Sequence, residues 1–372
     1  MFSGGPSMNV LILSCNTGQG HNSVADAIAE VVEDRGHQCE VVDALRFISD
    51  RTSKIMSWGH SFIYCHCPKV FTVGYSVAEK HPKSLDEGSP AYWLFARGSE
   101  DLYAYCKEQN YDAIICAHVF SALMLTDVRN NYDYNVPGYF VATDYTSYPG
   151  VQWSVLDSYF IPDENLSGDY EGKSTVVTGI PVQQRFFKEM DRAAIRQSLG
   201  IPEDKQYVLM MCGSMGCGPM TDVTKRIVSG MDENTVLSIV CGTNQRLYNR
   251  LSSAYEDNPQ VIVHGYVQNI PQMMAAADIC VTKPGGISTS EAMTMGLPMV
   301  LVDAVAGCED YNMHYFQDLD GAVAAKNPKE IAELCLELLA DKDRLAKMRR
   351  NLLAHRKNGA AIICDYLLEQ MK

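Results

Sequence analysis

Lys283-Pro284-Gly285-Gly286-Ile287-Ser288-Thr289-Ser290-Glu291 is the stretch on which the reading of this chain turns. It follows a short apolar strand, Asp278-Ile279-Cys280-Val281-Thr282, and opens a small-residue helix, Ala292-Met293-Thr294-Met295-Gly296. Adjacent glycines at a strand-to-helix turn let the backbone approach a ligand with no Cβ in the way. The helix behind them offers unpaired N–H groups and the positive end of its dipole, which suits a phosphate. Glu291 lies about one turn inside the helix, where a carboxylate can accept hydrogen bonds from sugar hydroxyls. The competing reading is a plain Gly-Gly turn with a serine cap. The surrounding chain decides between them.

The same punctuation recurs upstream. The strand Tyr207 to Cys212 runs into Gly213-Ser214-Met215-Gly216-Cys217-Gly218, and the strand Val236 to Val240 ends in Cys241-Gly242-Thr243-Asn244. Val261 to Val267 reads as a further strand, and Pro298 to Val302 precedes a loop, Ala306-Gly307-Cys308-Glu309-Asp310-Tyr311-Asn312. In an open parallel sheet, residues at the carboxyl ends of strands face the ligand crevice. Two glycine loops, a Gly-Gly helix start and an acidic-amide loop at such ends describe a nucleotide-sugar site. The helix start holds a diphosphate, Glu291 takes the ribose, and Glu309, Asp310 and Asn312 meet sugar hydroxyls. No Gly-x4-Gly-Lys-Ser/Thr run is present, which argues against a P-loop nucleotidase. No acidic pair stands out as a metal site, so no metal is expected and helix dipole and donors answer the diphosphate charge. Pro328 to Asn351 carries Ile331, Leu334, Leu338, Leu345 and Met348 at helical spacing and reads as packing helix.

The N-terminal half begins alike. Val10 to Cys15 is a continuous apolar run, the mark of a buried parallel strand, followed by Asn16-Thr17-Gly18-Gln19-Gly20-His21. A helix over Asn22 to Arg35 and a strand ending at Asp43 complete a βαβ unit. A nicotinamide-binding fingerprint fits poorly, because Ser23 replaces its third glycine and His21 intrudes in the turn. His21 reads either as a polar helix-start residue or as a general base facing the crevice. The strands Ala113 to Ala117 and Tyr139 to Thr143 end at His118 and Asp144, which draws these two toward His21. Asp144 reads equally as a structural cap or as a carboxylate that orients or accepts a proton. Gly179-Ile180-Pro181 marks a stiff hinge between the halves.

At 372 residues and a net charge of −14, the chain is long enough for two domains and too acidic for nucleic acid as a general partner. Its 13 scattered cysteines read as reduced core residues of a cytoplasmic protein, and Met1 to Ser7 as a flexible leader or an upstream start. No run approaches the ~18 apolar residues of a spanning helix. One segment departs from the acidic balance. Between Arg46 and Lys83, six lysines and arginines, among them Lys54 and Lys69, face only Asp50 and Glu79. Trp58, Phe62 and Phe71 are interleaved with these cations, a composition suited either to anionic lipid headgroups or to a core helix with a solvated basic face. Cys65-His66-Cys67, with no second pair at finger spacing, makes a poor zinc site.

From about Met8 onward the chain resembles the two-domain GT-B glycosyltransferases related to the lipid II N-acetylglucosaminyltransferase. Within that set it is most similar to the diacylglycerol glucosyltransferases and monogalactosyldiacylglycerol synthases. Asn16 to His21 matches their Gly-Gly-Gly-His loosely; Thr282 to Gly286 with Ser290-Glu291 matches their Thr-Lys-Pro-Gly-Gly and Ser-Glu. Gly307, Glu309 and Asn312 match Pro-Gly-Gln-Glu and Asn, with Cys308 in place of the glutamine. A second departure follows Asp144, where Tyr148-Pro149-Gly150 precedes Trp153 and the relatives carry a histidine.

The resemblance implies an α/β chain of two Rossmann-like domains facing across a cleft. Residues 8–182 would bind the acceptor and 183–372 the nucleotide sugar, with the last helix able to return to the first domain. It implies inverting transfer of a hexosyl group from a UDP-sugar, which is a substrate, with no cofactor. Gly213, Ser214, Met215 and Gly216 with Gly285, Gly286, Ile287 and Ser288 would hold the diphosphate, and Tyr266 and Val267 would flank uracil. Glu291 would bind ribose, Glu309 and Asp310 would read the sugar, and His21 or Asp144 would be the base. Gly20, Trp58, Phe62, Lys69 and Phe71 would serve the acceptor and an anionic membrane surface, at the inner face of the cell membrane. A soluble acceptor, or a UDP-N-acetylglucosamine 2-epimerase-like activity, is the alternative.

Overall fold

The computed structural model describes residues 7–66, 73, 77, 79–81, 85–302 and 307–371, the side chains of 60–66 excepted. Lys69, Phe71 and residues 1–6 lie outside these residues, as does the side chain of Phe62. The chain forms two compact units. One takes Met1–Gln184, Ala306–Cys308 and Lys357–Lys372; the other takes Arg185–Val305 and Glu309–Arg356.

The first unit is built on six parallel strands: β1 (Asn9–Ser14), β2 (Gln38–Asp43), β3 (Ala113–Cys116), β4 (Gly138–Val141), β5 (Ser158–Ile161) and β6 (Thr175–Val177). Their order is β2-β1-β3-β4-β5-β6. Helices α1 (Gln19–Asp34), α2 (Asp50–His66), α3 (Pro90–Ala96), α4 (Ser99–Gln109) and α5 (Val119–Asn131) connect or cover them. In β1, the run Val10 to Leu13 is wholly buried, as expected for a strand covered on both faces. Because β2 lies on one side of β1 and β3 on the other, the strand order reverses between β1 and β3. Crevices open at such switch points, so the loops after these two strands form the unit's natural site.

The second unit repeats the plan with β7 (Gln206–Met211), β8 (Thr235–Val240), β9 (Val261–His264), β10 (Ile279–Thr282), β11 (Met299–Leu301) and β12 (Ala322–Ala324), all parallel. Their order is β12-β11-β10-β7-β8-β9. Here the switch falls between β7 and β10, paired with Met211 opposite Thr282. The helices are α6 (Arg192–Ser198), α7 (Met220–Gly230), α8 (Gln245–Ala254), α9 (Ile270–Ala276), α10 (Gly286–Thr294), α11 (Cys308–Asp318), α12 (Pro328–Ala340) and α13 (Lys342–His355). A final helix, α14 (Gly359–Gln370), packs in the first unit: Tyr366 meets Tyr139 and Phe160 edge to face and its hydroxyl lies 2.7 Å from Ser158 Oγ.

Two local expectations are corrected. The expected loop at 306–312 is helical from Cys308, with Glu309 and Asp310 in the first turn, where acidic side chains favour the helix dipole. The single packing helix expected from Pro328 is broken at Asp341, which caps the next helix by accepting from Arg344 N at 2.8 Å. Among the described residues, ten cysteines carry free thiols, eight of them buried.

Candidate active site

In the first unit the crevice at β1 and β3 gathers the residues singled out in the sequence. Helix α1 starts at Gln19, so Gly20 and His21 stand in its first turn instead of in a loop. His21 Nδ1 donates to the carbonyl of Ala117, just past β3, at 2.8 Å. A carbonyl only accepts, so that nitrogen carries the proton and Nε2 is the basic nitrogen of the neutral ring. His118 caps α5: Phe120 N donates to its Nδ1 at 3.1 Å, which leaves its proton on Nε2. The two rings meet edge to face with centroids 4.4 Å apart.

Asp144 reaches the same group past the end of β4. Thr143 Oγ1 lies 3.3 Å from His21 Nδ1 and donates to Asp144 Oδ2 at 3.3 Å. Tyr148 donates its hydroxyl to the same carboxylate oxygen. Burial pushes the Tyr148 phenol well above its usual range, and the Asp144 charge adds to this, so it remains a donor. The sequence reading gave Thr143 and Tyr148 no role at the site, because no spacing rule links them to His21. His21, His118 and Asp144 are brought together as the strand ends required.

The second unit's crevice is lined by backbone. Gly213, Gly216 and Gly242 have φ of +68°, +55° and +57°. A Cβ on Gly216 would lie 2.3 Å from the Cys241 carbonyl oxygen, and one on Gly242 would lie 2.1 Å from that of Ser214. The loops after β7 and β8 are therefore locked together, with Thr243 N donating to Ser214 O at 2.8 Å and Asn244 Nδ2 to Gly216 O at 3.2 Å. Helix α10 begins after Gly285, which offers no side-chain cap. The Thr289 and Ser290 hydroxyls turn back to the Gly285 and Gly286 carbonyls at 2.9 and 2.6 Å, so no serine caps the helix.

Around that helix start, Lys283 Nζ pairs with Glu309 Oε1 at 3.1 Å, and Asn312 Nδ2 donates to the Pro284 carbonyl at 2.9 Å. Asn312 is fully buried, so its amide holds the turn. Lys283 received no role from the sequence. Glu291 is half-buried, and desolvation pushes its carboxyl up to about 8, with Arg185 opposing the rise. Ile287, Ser288 and Asp310 are partly exposed near the helix starts, Tyr266 is 66% exposed just past β9, and Val267 is partly buried beside it. Met215 lies between Ser214 and Gly216 on the first glycine loop. Among the described residues, no group of three His, Cys, Asp or Glu could hold a metal ion.

Comparison with known proteins bears on both halves. Residues 21–182 match the family model of monogalactosyldiacylglycerol synthase, and residues 191–354 match that of the group 1 glycosyl transferases. A processive diacylglycerol beta-glucosyltransferase of Bacillus licheniformis is 27% identical, aligned over 97% of this chain and 95% of its own. Among solved structures, MurG of Acinetobacter baumannii superposes with a TM-score of 0.66 at 14% identity, covering 98% of this chain and 100% of that one. Anabaena HepE, solved in complex with UDP, superposes with a TM-score of 0.55 at 16% identity, covering 98% and 99%. With a glycosyl-transfer family on each half, an end-to-end relative of the same chemistry and two six-stranded parallel sheets, the chain is a glycosyltransferase of the GT-B fold.

Proposed function

We propose that the protein transfers a hexosyl group, with inversion, from a UDP-sugar to a lipid acceptor, diacylglycerol or a glycosyl-diacylglycerol. The observation that carries this reading is the match of residues 21–182 to the monogalactosyldiacylglycerol synthase family, because that half holds His21. His21 Nε2 takes the proton of the acceptor hydroxyl as its oxygen bonds to the anomeric carbon. The bond from that carbon to the diphosphate oxygen breaks, and UDP leaves with the electron pair. Asp144, through Thr143 and Tyr148, orients the base and favours its protonated form. The glycine loop at 213–216 and the start of α10 receive the diphosphate, Tyr266 and Val267 flank uracil, and Glu291 holds the ribose. Asp310 contributes to sugar recognition.

The basic segment would bring the enzyme to an anionic surface at the inner face of the cell membrane. Ile55, Trp58 and Trp93 support this, being 58%, 69% and 65% exposed beside Arg51, Lys54 and Arg97. No helix among the described residues is long and apolar enough to cross a membrane. The test is incubation with labelled UDP-glucose, UDP-galactose and UDP-N-acetylglucosamine, with and without diacylglycerol vesicles. Labelled glycolipid supports the reading. An epimer released without acceptor, or transfer only to soluble hydroxyls, overturns it.

A further inference from the structure

We propose that Lys283 is the counter-charge to the donor diphosphate and that Glu309 positions it there, instead of reading the sugar. The inference rests on the UDP-sugar reading above. Lys283 follows β10 at the switch point of the second sheet, between the glycine loop of β7 and the start of α10. Its side chain crosses that glycine loop: a Cβ on Gly213 would lie 3.2 Å from Lys283 Cε and 3.9 Å from Nζ. Glycine at 213 thus leaves the lysine its path. The ammonium is fixed at the place where the backbone is open to a ligand.

Helix α11 makes this fixture. Glu309 and Asn312 are three residues apart and share a face of its first turns. Glu309 takes the Lys283 ammonium at 3.1 Å, and Asn312 takes the Pro284 carbonyl at 2.9 Å. One helix face therefore grips the Lys283-Pro284 dipeptide by both its side chain and its backbone. The side chains of Lys283 and Glu309 are 17% and 7% exposed. Desolvating two charges to this degree is costly unless each is answered by the other's charge. Glu309 also lies close to the helix start, its Oε1 4.0 Å from where a Cβ of Gly285 would be. Alone, that carboxylate would oppose an anion at the α10 N-terminus; paired with Lys283 it is neutralised. The arriving diphosphate shares the ammonium and gains a charge-assisted contact.

Calorimetric titration with UDP and with uridine separates the possibilities. The wild-type protein is expected to bind UDP much more tightly than uridine. In Lys283→Met, UDP affinity is expected to fall about 10- to 100-fold with uridine unchanged, and Lys283→Arg to recover part of the loss. In Glu309→Gln, which keeps a hydrogen-bond acceptor for the ammonium but removes the negative charge, UDP is expected to bind about ten-fold tighter. A wild-type protein with no preference for UDP over uridine would sink the underlying donor reading. A preserved preference that neither variant alters overturns the role of Lys283 alone. If Glu309→Gln leaves UDP unchanged and weakens only UDP-sugar, Glu309 reads the sugar. Should Lys283→Met lose uridine as well, the Glu309→Gln result decides.

Discussion

His21 and His118 stand edge to face, 4.4 Å between ring centroids, and neighbouring backbone holds them in opposite tautomers. The Ala117 carbonyl takes the Nδ1 proton of His21, while the Phe120 amide occupies Nδ1 of His118. His21 thus has its basic nitrogen at Nε2, whereas that of His118 is engaged by the amide, which supports His21 over His118 as the proposed base. His21→Ala is therefore expected to lower kcat by about 10²- to 10⁴-fold while UDP affinity stays at the wild-type value. Asp144→Asn, which keeps the shape but loses the charge, should cost less than His21→Ala in the same assay. If Asp144→Asn is the more damaging, Asp144 is the base; if His21→Ala abolishes UDP binding, the roles of the two units are reversed.

Glu291 gives a pH signature. Its carboxyl is raised from 4.5 to about 8 by burial, so its contribution to stability is complete below about 4.5 and is lost as pH rises through about 8. Glu291→Gln stays neutral throughout. The variant should gain on the wild type with rising pH across that window, by at most about 1.4 kcal/mol per pH unit. Thermal unfolding of both proteins at several pH values measures the gap, and parallel curves would show that the site is wet enough to ionise Glu291 freely.

Gly242 tests whether the glycine loops act together. With φ at +57° and the Ser214 carbonyl 2.1 Å from any Cβ, Gly242→Ala must separate the loops after β7 and β8. A cost of about 1–3 kcal/mol in stability is expected, together with weaker UDP binding. Unfolding and titration of the same sample check both. Normal UDP affinity in the destabilised variant would mean that the brace does not shape the donor site.

Trp58 and Ile55 test the surface reading. Serine at both positions removes two exposed apolar side chains from one face of α2 while leaving the basic residues in place. Sedimentation with anionic vesicles should fall several-fold, with activity on a detergent-dispersed acceptor retained. Unchanged sedimentation would return this helix to an ordinary solvated role.

The Gly-Gly stretch from Lys283 to Glu291 was legible because its signals are local. An apolar strand, glycines at a turn and a helix start need no distant partner to be recognised, and the same holds for Val10 to His21. Parallel α/β architecture follows from that alternation, and the strand-end rule gathers His21, His118 and Asp144 before any coordinates are known. Where an element's state depends on its neighbours, the sequence falls short. The 306–312 segment reads as loop by composition, yet it is helical from Cys308, and its turn bears on Pro284.

The sequence by itself therefore determined two parallel α/β units and the stretches that line their crevices, because hydrophobic period and turn chemistry are written residue by residue. The tertiary structure decided what those residues do to one another. Strand order set the switch points, a carbonyl 96 residues away chose the tautomer of His21, and Glu309 reached back 26 residues to hold Lys283. Such couplings arise from contacts between segments far apart in the chain, which no local pattern encodes.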